Sequence, residues 1–285
     1  MHNDIEPISH ENKQLQQLDK LQREYAVKWE VSASAHQQEG DYEWLAADLE
    51  ECHSVLEIGC GAGHSTLSLL AGGHRVTVVE ENPHCIELTR DRLEQAGYRV
   101  QVMLRGNPEA LDSGYEVAYG DVGTVENVDC VLIEGDVLED AKLSAWLSKH
   151  ERFDAVICWM MGTHQYRGHD GVLVARKITE VWQYRIFVQN EVYDLAEIVL
   201  RSGGILSVAD RLETPSTERM HNSIMQNHRE QASTTSLQVR KLRHKPYSLD
   251  RVEGGVQMVV TLPTDGSSAD REFSSSLCVV TSVKP

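Results

Sequence analysis

The chain has 285 residues, with 27 Lys and Arg against 44 Asp and Glu and a formal net charge of −17. Such a balance disfavours a broad nucleic-acid surface, because that affinity rests on neutralising phosphates, and it leaves nucleic acid an unexpected partner. The length suffices to bury a sizeable core. The six cysteines, Cys52, Cys60, Cys85, Cys130, Cys158 and Cys278, show neither a C-x-x-C pair nor zinc spacing. They read as reduced core thiols, with no metal site and a cytoplasmic location. No basic-then-apolar leader and no membrane-length apolar window is seen, so no membrane association is expected.

In chain order, residues 1–48 read as a helical extension. Leu15, Leu18 and Leu21, then Tyr25, Val27 and Trp29, give it an amphipathic face. This segment either packs on the outside of a sheet, caps a substrate cleft, or joins two copies as a homodimer. Asp41 to Glu51 reads as a further helix. Ser54 to Ser65 then carries Glu57-Ile58-Gly59-Cys60-Gly61-Ala62-Gly63. It begins as an apolar run, breaks into glycines at alternate positions, and resumes at helical spacing through Leu67 and Leu70. A buried strand, a tight turn and a helix N-terminus are predicted, with the turn open to close approach by a ligand. Val76-Thr77-Val78-Val79-Glu80 is a second strand ending in an acid, followed by a helix from His84 to Gln95.

Residues 98–128 read as an insertion, with a hairpin built from Tyr98–Leu104 and Tyr115–Tyr119. Between Gly106 and Asp140 there is no Lys or Arg. The resulting acidic flap is either simply solvated or biased toward cationic substrates. Cys130 to Ile133 forms a core strand leading to Gly135-Asp136-Val137, and Phe153 to Ile157 forms the next. Gly171 to Leu200 reads as the longest helical stretch, running into a strand at Gly203-Gly204-Ile205-Leu206. A polar helix over Thr217–Gln231 precedes three strand candidates, Ser236–Leu242, Val256–Leu262 and Ser276–Val283. The alternation of βα units predicts a parallel sheet with helices on both faces.

The glycine stretch, the acid at Glu80, Gly135-Asp136-Val137 and the two following strands stand in one order. Together they resemble the class I S-adenosylmethionine-dependent methyltransferases, from about Cys52 onward. The resemblance implies a Rossmann-like, seven-stranded, mostly parallel sheet over residues 49–285, with its last strand inserted antiparallel. It implies S-adenosylmethionine as cofactor, bound beyond the carboxyl ends of the first strands. By the same resemblance Gly59, Gly61 and Gly63 line the turn beneath the amino-acid moiety and ribose. Glu57 contacts the methionyl ammonium, directly or through water, or else merely satisfies loop N–H groups. Glu80 accepts from both ribose hydroxyls. Asp136 accepts from the adenine amine, and Val137 offers a backbone N–H.

The fourth core strand ends in Cys158-Trp159-Met160-Met161-Gly162-Thr163-His164. It lacks the Asn/Asp-Pro-Pro-aromatic tetrapeptide of enzymes that methylate base amines, and no Pro precedes Cys158. Trp159, Met160 and Tyr166 fit the wall of a small-molecule pocket, or for the first two a plain core. The sulfonium already activates the methyl group, so alignment is the main requirement. A general base is needed only for a hydroxyl or protonated amine, and His164, then His169, are the candidates. The reading is therefore a methyltransferase acting on an O or N atom of a small molecule. A protein or RNA methyltransferase, supported by the basic run Arg240–Lys245, and a non-catalytic cofactor-binding regulatory subunit stand as alternatives.

Overall fold

The computed structural model describes residues 10–247, 252–256 and 274–285. Helix α1 (His10–Gln38) ends where Gly40 takes a left-handed φ of 66° and turns the chain into α2 (Asp41–Ala46). Strand β1 (Ser54–Ile58), α3 (His64–Ala71), β2 (Arg75–Glu80) and α4 (Pro83–Gln95) then alternate. Helix α4 starts on a matched set of signals: Pro83 in its first turn, and Asn82 as N-cap accepting from the His84 N–H.

Next come β3 (Val100–Met103), a hairpin of β4 (Gly106–Leu111) and β5 (Gly114–Tyr119), β6 (Cys130–Glu134), α5 (Ala141–Leu147) and β7 (Phe153–Trp159). The expected hairpin partner Tyr98–Leu104 is corrected here. Val100–Met103 pairs in parallel with β6 at the edge of the main sheet, and β4 takes its place opposite β5. The expected continuous helix over 171–200 is also corrected. It divides into α6 (Gly171–Ala175) and α7 (Val181–Val199), separated where Lys177 adopts a φ of 57°. A capping box between Glu180 and Gln183 restarts the second helix.

The chain finishes with β8 (Leu200–Glu213), α8 (Glu218–Gln231), β9 (Gln238–Pro246) and β10 (Ser275–Val283). The strand expected at Val256–Leu262 lies mostly outside the described residues.

The main sheet runs β3-β6-β2-β1-β7-β8-β10-β9. Its last seven positions are the expected seven-stranded sheet, with β10 antiparallel to both β8 and β9; β3 is an eighth strand added outside β6. Alternate residues serve opposite faces. On β1, Val55 joins a core with α2, α3 and α4, while Leu56 and Ile58 join a second core with α5 and α7. Both faces are covered, as a parallel sheet requires. All six cysteines are buried free thiols. Among the described residues no helix is long and apolar enough to cross a membrane.

The chain leaves β1 toward β2 on one side and pairs with β7 on the other. A crevice therefore opens beyond the carboxyl ends of β1 and β7, where open α/β sheets bind ligands.

Candidate active site

Three glycines follow β1, all with left-handed φ: Gly59 at 81°, Gly61 at 52° and Gly63 at 79°. Their neighbours differ. A Cβ on Gly63 would stand 2.9 Å from the Thr89 backbone, so Gly63 lets α4 pack on the turn and is not on the crevice wall. A Cβ on Gly61 would stand 1.9 Å from the Trp29 indole nitrogen, and one on Gly59 would meet the Met161 side chain at 2.9 Å. Gly59 and Gly61 therefore face the crevice, and Gly63 serves the scaffold.

At the end of β2, Glu80 holds this turn from the far side. Its two oxygens accept from the Gly61 N–H at 3.1 Å and the Asn82 N–H at 3.0 Å. Burial, and then the neighbouring Glu81 charge, push its carboxyl up to about 7. Glu57 lies elsewhere than the resemblance implied. It is 1 % exposed and absent from the crevice wall; its oxygens accept from the Ser65 hydroxyl and from Thr66 Oγ1 at 2.7 Å. Burial raises it to about 7 as well. It ties the start of α3 to β1 through these hydroxyls, rather than through loop N–H groups.

Asp136, in the loop after β6, lines the crevice together with Val137. One carboxylate oxygen accepts from the Leu138 N–H at 2.8 Å, and the other is paired with the Arg167 guanidinium. Arg167 was not singled out from the sequence, yet it is 1 % exposed and central. It also donates to Asp170 at 3.0 Å and lies 3.8 Å from Glu81. Glu81 accepts from the Thr163 hydroxyl at 2.8 Å. Burial alone would raise the Glu81 carboxyl, but Arg167, then His164 and Thr163, hold it down at about 2. A fixed anion thus stands on the wall beside Glu80.

The remaining wall is apolar. Trp159 and Met160 at the end of β7, with Met161, Tyr184, Tyr25 and Trp29, line a partly open cleft with about 40 Å³ of free space. Met160 has a φ of 53°, a costly conformation for a residue other than glycine, and its N–H is fixed on the Ala209 carbonyl at 2.8 Å. Tyr166 is not on this wall; it stacks on Tyr115 with ring centroids 5.7 Å apart. His164 is off the wall too. It is 2 % exposed, with Nε2 3.7 Å from Glu81. His169 lies against Tyr166 with ring centroids 4.6 Å apart and the planes tilted by 32°, and is likewise off the wall. Neither histidine faces the crevice as a base would. Among the described residues no cluster of His, Cys, Asp or Glu could hold a metal ion.

Helix α1 roofs the crevice with Tyr25 and Trp29, and the β4–β5 hairpin and the loop after β7 pack against α1. The hairpin is fixed in turn by Glu134, which accepts from the N–H groups of Arg105 at 2.6 Å and Gly106 at 2.7 Å.

A family model described as a methyltransferase domain matches residues 55–119, from β1 through the glycine turn, Glu80 and the hairpin. Nodulation protein S of Sinorhizobium fredii (strain NBRC 101917 / NGR234) is 33% identical over 82 residues, and the match covers 27% of this chain and 38% of that protein. Among solved structures, the N-methyltransferase NodS from Bradyrhizobium japonicum WM9 is 14% identical, with 90% of this chain and 97% of that one covered and a TM-score of 0.42. TrmN from Thermus thermophilus is 10% identical over 86% of this chain and 48% of that one, with a TM-score of 0.44. The residues fit the group that the sequence implied: an acid caged by the glycine turn can meet a cis-diol, and a Cβ on Gly61 would fill the approach. Its glycine turn, its acid-ended second strand and its sheet order, together with the methyltransferase-domain match over residues 55–119, resemble those of the class I S-adenosylmethionine-dependent methyltransferases.

Proposed function

We propose that the protein transfers a methyl group from S-adenosylmethionine to an O or N atom of a small molecule. One observation carries this reading: Glu80 and the glycine turn meet at the switch point, beside an apolar wall set with a fixed carboxylate. Bound there, the cofactor would supply a methyl group already activated by its sulfonium. Glu80 would hold the ribose hydroxyls, and Gly59 and Gly61 would let the ligand approach the backbone. Val137 would offer its N–H to the adenine edge; Asp136, engaged by Arg167 and Leu138, has only its remaining lone pairs for the amine. Trp159, Met160 and Tyr184 exclude water and align the acceptor. No base role is assigned to His164, because the imidazole is enclosed behind Glu81.

The proposal includes a cytoplasmic location, in keeping with the free thiols, and no nucleic-acid partner. The basic strand supports this: Lys241 and Arg243 are paired with Asp48, and Lys245 with Asp41. A homodimer through α1 is not part of it, because α1 is engaged in roofing the crevice.

The test is incubation with methyl-labelled cofactor and fractionated cell extract. Label in small metabolites is expected. Label in the protein or RNA fraction would transfer the activity to the macromolecular alternative. S-adenosylhomocysteine binding with no label anywhere would leave the regulatory-subunit reading.

A further inference from the structure

Helix α1 supplies two aromatic rings one turn apart, and each sits against a glycine at the carboxyl end of a different central strand. Trp29 lies on Gly61 after β1, with its indole nitrogen 1.9 Å from where a Cβ would stand. Tyr25 lies on Gly162 after β7, its hydroxyl 2.7 Å from the corresponding point. Positions i and i+4 share a helix face, so one helix inserts both rings. Trp29 is only 8 % exposed. The space left among these groups is about 40 Å³. Pockets that bury a nucleoside-sized ligand measure roughly 300–1,000 Å³.

The helix is latched over the crevice by polar contacts. Glu30 takes a two-pronged ion pair from Arg92 of α4, at 2.6 and 2.7 Å, while Arg92 also donates to the Ala62 carbonyl at 2.8 Å. Asn82 donates to the Gln22 carbonyl at 3.0 Å, and His84 meets Asp19 at 2.8 Å. The other end of α1 is tied down separately. Buried His36 pairs with Asp41 at 2.6 Å, and Ser32 accepts from the Val256 N–H at 3.0 Å. The latches between Asp19 and Glu30 bear mainly on α4 and its preceding loop, with Glu30 also 3.4 Å from His64 of α3, whereas those at Ser32 and His36 bear on Val256 and on Asp41 of α2.

We propose that α1 is a self-occluding plug, with Trp29 and Tyr25 standing in the ligand's place on the two glycines. Ligand entry displaces the rings by tilting the Asp19–Glu30 half of α1 about its fixed Ser32–His36 end. This inference rests on the cofactor reading above. It adds that the closed protein excludes its own cofactor, so that binding is a competition between indole and ligand for one surface. A ligand that binds the open state alone sees its affinity reduced by the open fraction.

The test uses the full chain and S-adenosylhomocysteine as the probe. Hydrogen exchange of the wild type should show residues 19–31 exchanging faster when the probe is bound. Association rates, read by surface plasmon resonance, should level off at high probe concentration at the opening rate. Trp29→Ala should raise affinity and initial association rate tenfold or more, and Trp29→Phe, which keeps a ring on Gly61, should give a smaller gain. Glu30→Gln, which loosens the latch without touching the core, should raise the association rate and keeps the test open if Trp29→Ala fails to fold. Greater protection of residues 19–31 on binding, or weaker binding by Trp29→Ala, would overturn the plug and make the indole a wall of the filled site. Absence of binding by wild type and every variant at saturating probe would overturn the cofactor reading itself and the plug with it. Binding by the variants alone would be the strongest support.

Discussion

Glu80 makes ligand binding a proton-linked event. Its carboxyl is buried and raised to about 7, with the ionised Glu81 adjacent and two backbone N–H groups and the weak Cys60 thiol donor to compensate. A ribose diol donating to both oxygens would favour the ionised form and bring the group back toward the ordinary 4.5. At pH 6 roughly one chain in eleven then has Glu80 ionised before binding, against nearly all chains at pH 8. Affinity for S-adenosylhomocysteine should therefore be about tenfold weaker at pH 6, or about 1.4 kcal/mol, and about 0.9 proton should leave per ligand bound. Calorimetry at both pH values, in buffers of different ionisation enthalpy, reads both quantities. Glu80→Gln should lose the slope along with about 1–3 kcal/mol of binding, because one turn N–H would face an amide donor. Glu57→Gln should keep the slope, since Glu57 is off the crevice wall. Equal wild-type affinities at the two pH values, or no proton release at pH 6, would refute the assignment of Glu80 to the ribose.

Three further outcomes follow from the geometry. Arg167→Met strands two buried carboxylates, Asp136 and Asp170, and the part-buried Glu81, and should cost about 3–5 kcal/mol in urea unfolding. Gly63→Ala should destabilise by about 2 kcal/mol or more, from its left-handed φ together with the Thr89 backbone contact, in the same measurement. The ligand-free protein should lose stability as pH rises from 5 to 8. Glu57 and Glu80 bind protons more tightly when folded, so their contribution is full below about 4.5 and is lost as pH passes 7. Each group accounts for at most about 3 kcal/mol, and denaturant titration across that range checks it.

What the sequence made legible was local. The glycine turn and the acid-ended β2 each carry their signal within a few residues, and the structure places them where that signal put them; the helix expected from His84 begins one residue earlier, at Pro83. Long-range pairing was less legible. Val100–Met103 alternates like a hairpin strand, yet its partner is thirty residues on, and alternation says nothing of which strand a segment joins. The break between α6 and α7 was hidden because Lys177, not glycine or proline, takes the left-handed turn. Arg167 was passed over for a similar reason. Only Asp170 is a neighbour in sequence, three residues on; Glu81 and Asp136 come from two other loops, and no spacing links those to Arg167. Trp29 was visible as one member of an amphipathic face, but periodicity cannot tell a ring that packs on a sheet from one that enters a ligand crevice.

The antiparallel insertion of β10 has a consequence for how the molecule comes together. Its residues pair with β8, some seventy positions earlier, on one edge and with β9, some thirty to forty-five positions earlier, on the other. Strands β1, β2, β3, β6 and β7, which carry the glycine turn, Glu80 and the Met160 corner, are all in hand by residue 159. Contacts of such long sequence separation form slowly, because loop closure must come before they reward it. The ligand-binding half of the sheet can thus assemble while β8 still presents an unpaired edge, and one late strand closes both open edges together. Until it does, β8 and β9 are exposed templates for pairing with other chains, so the interval before β10 docks is when this protein is most prone to aggregate.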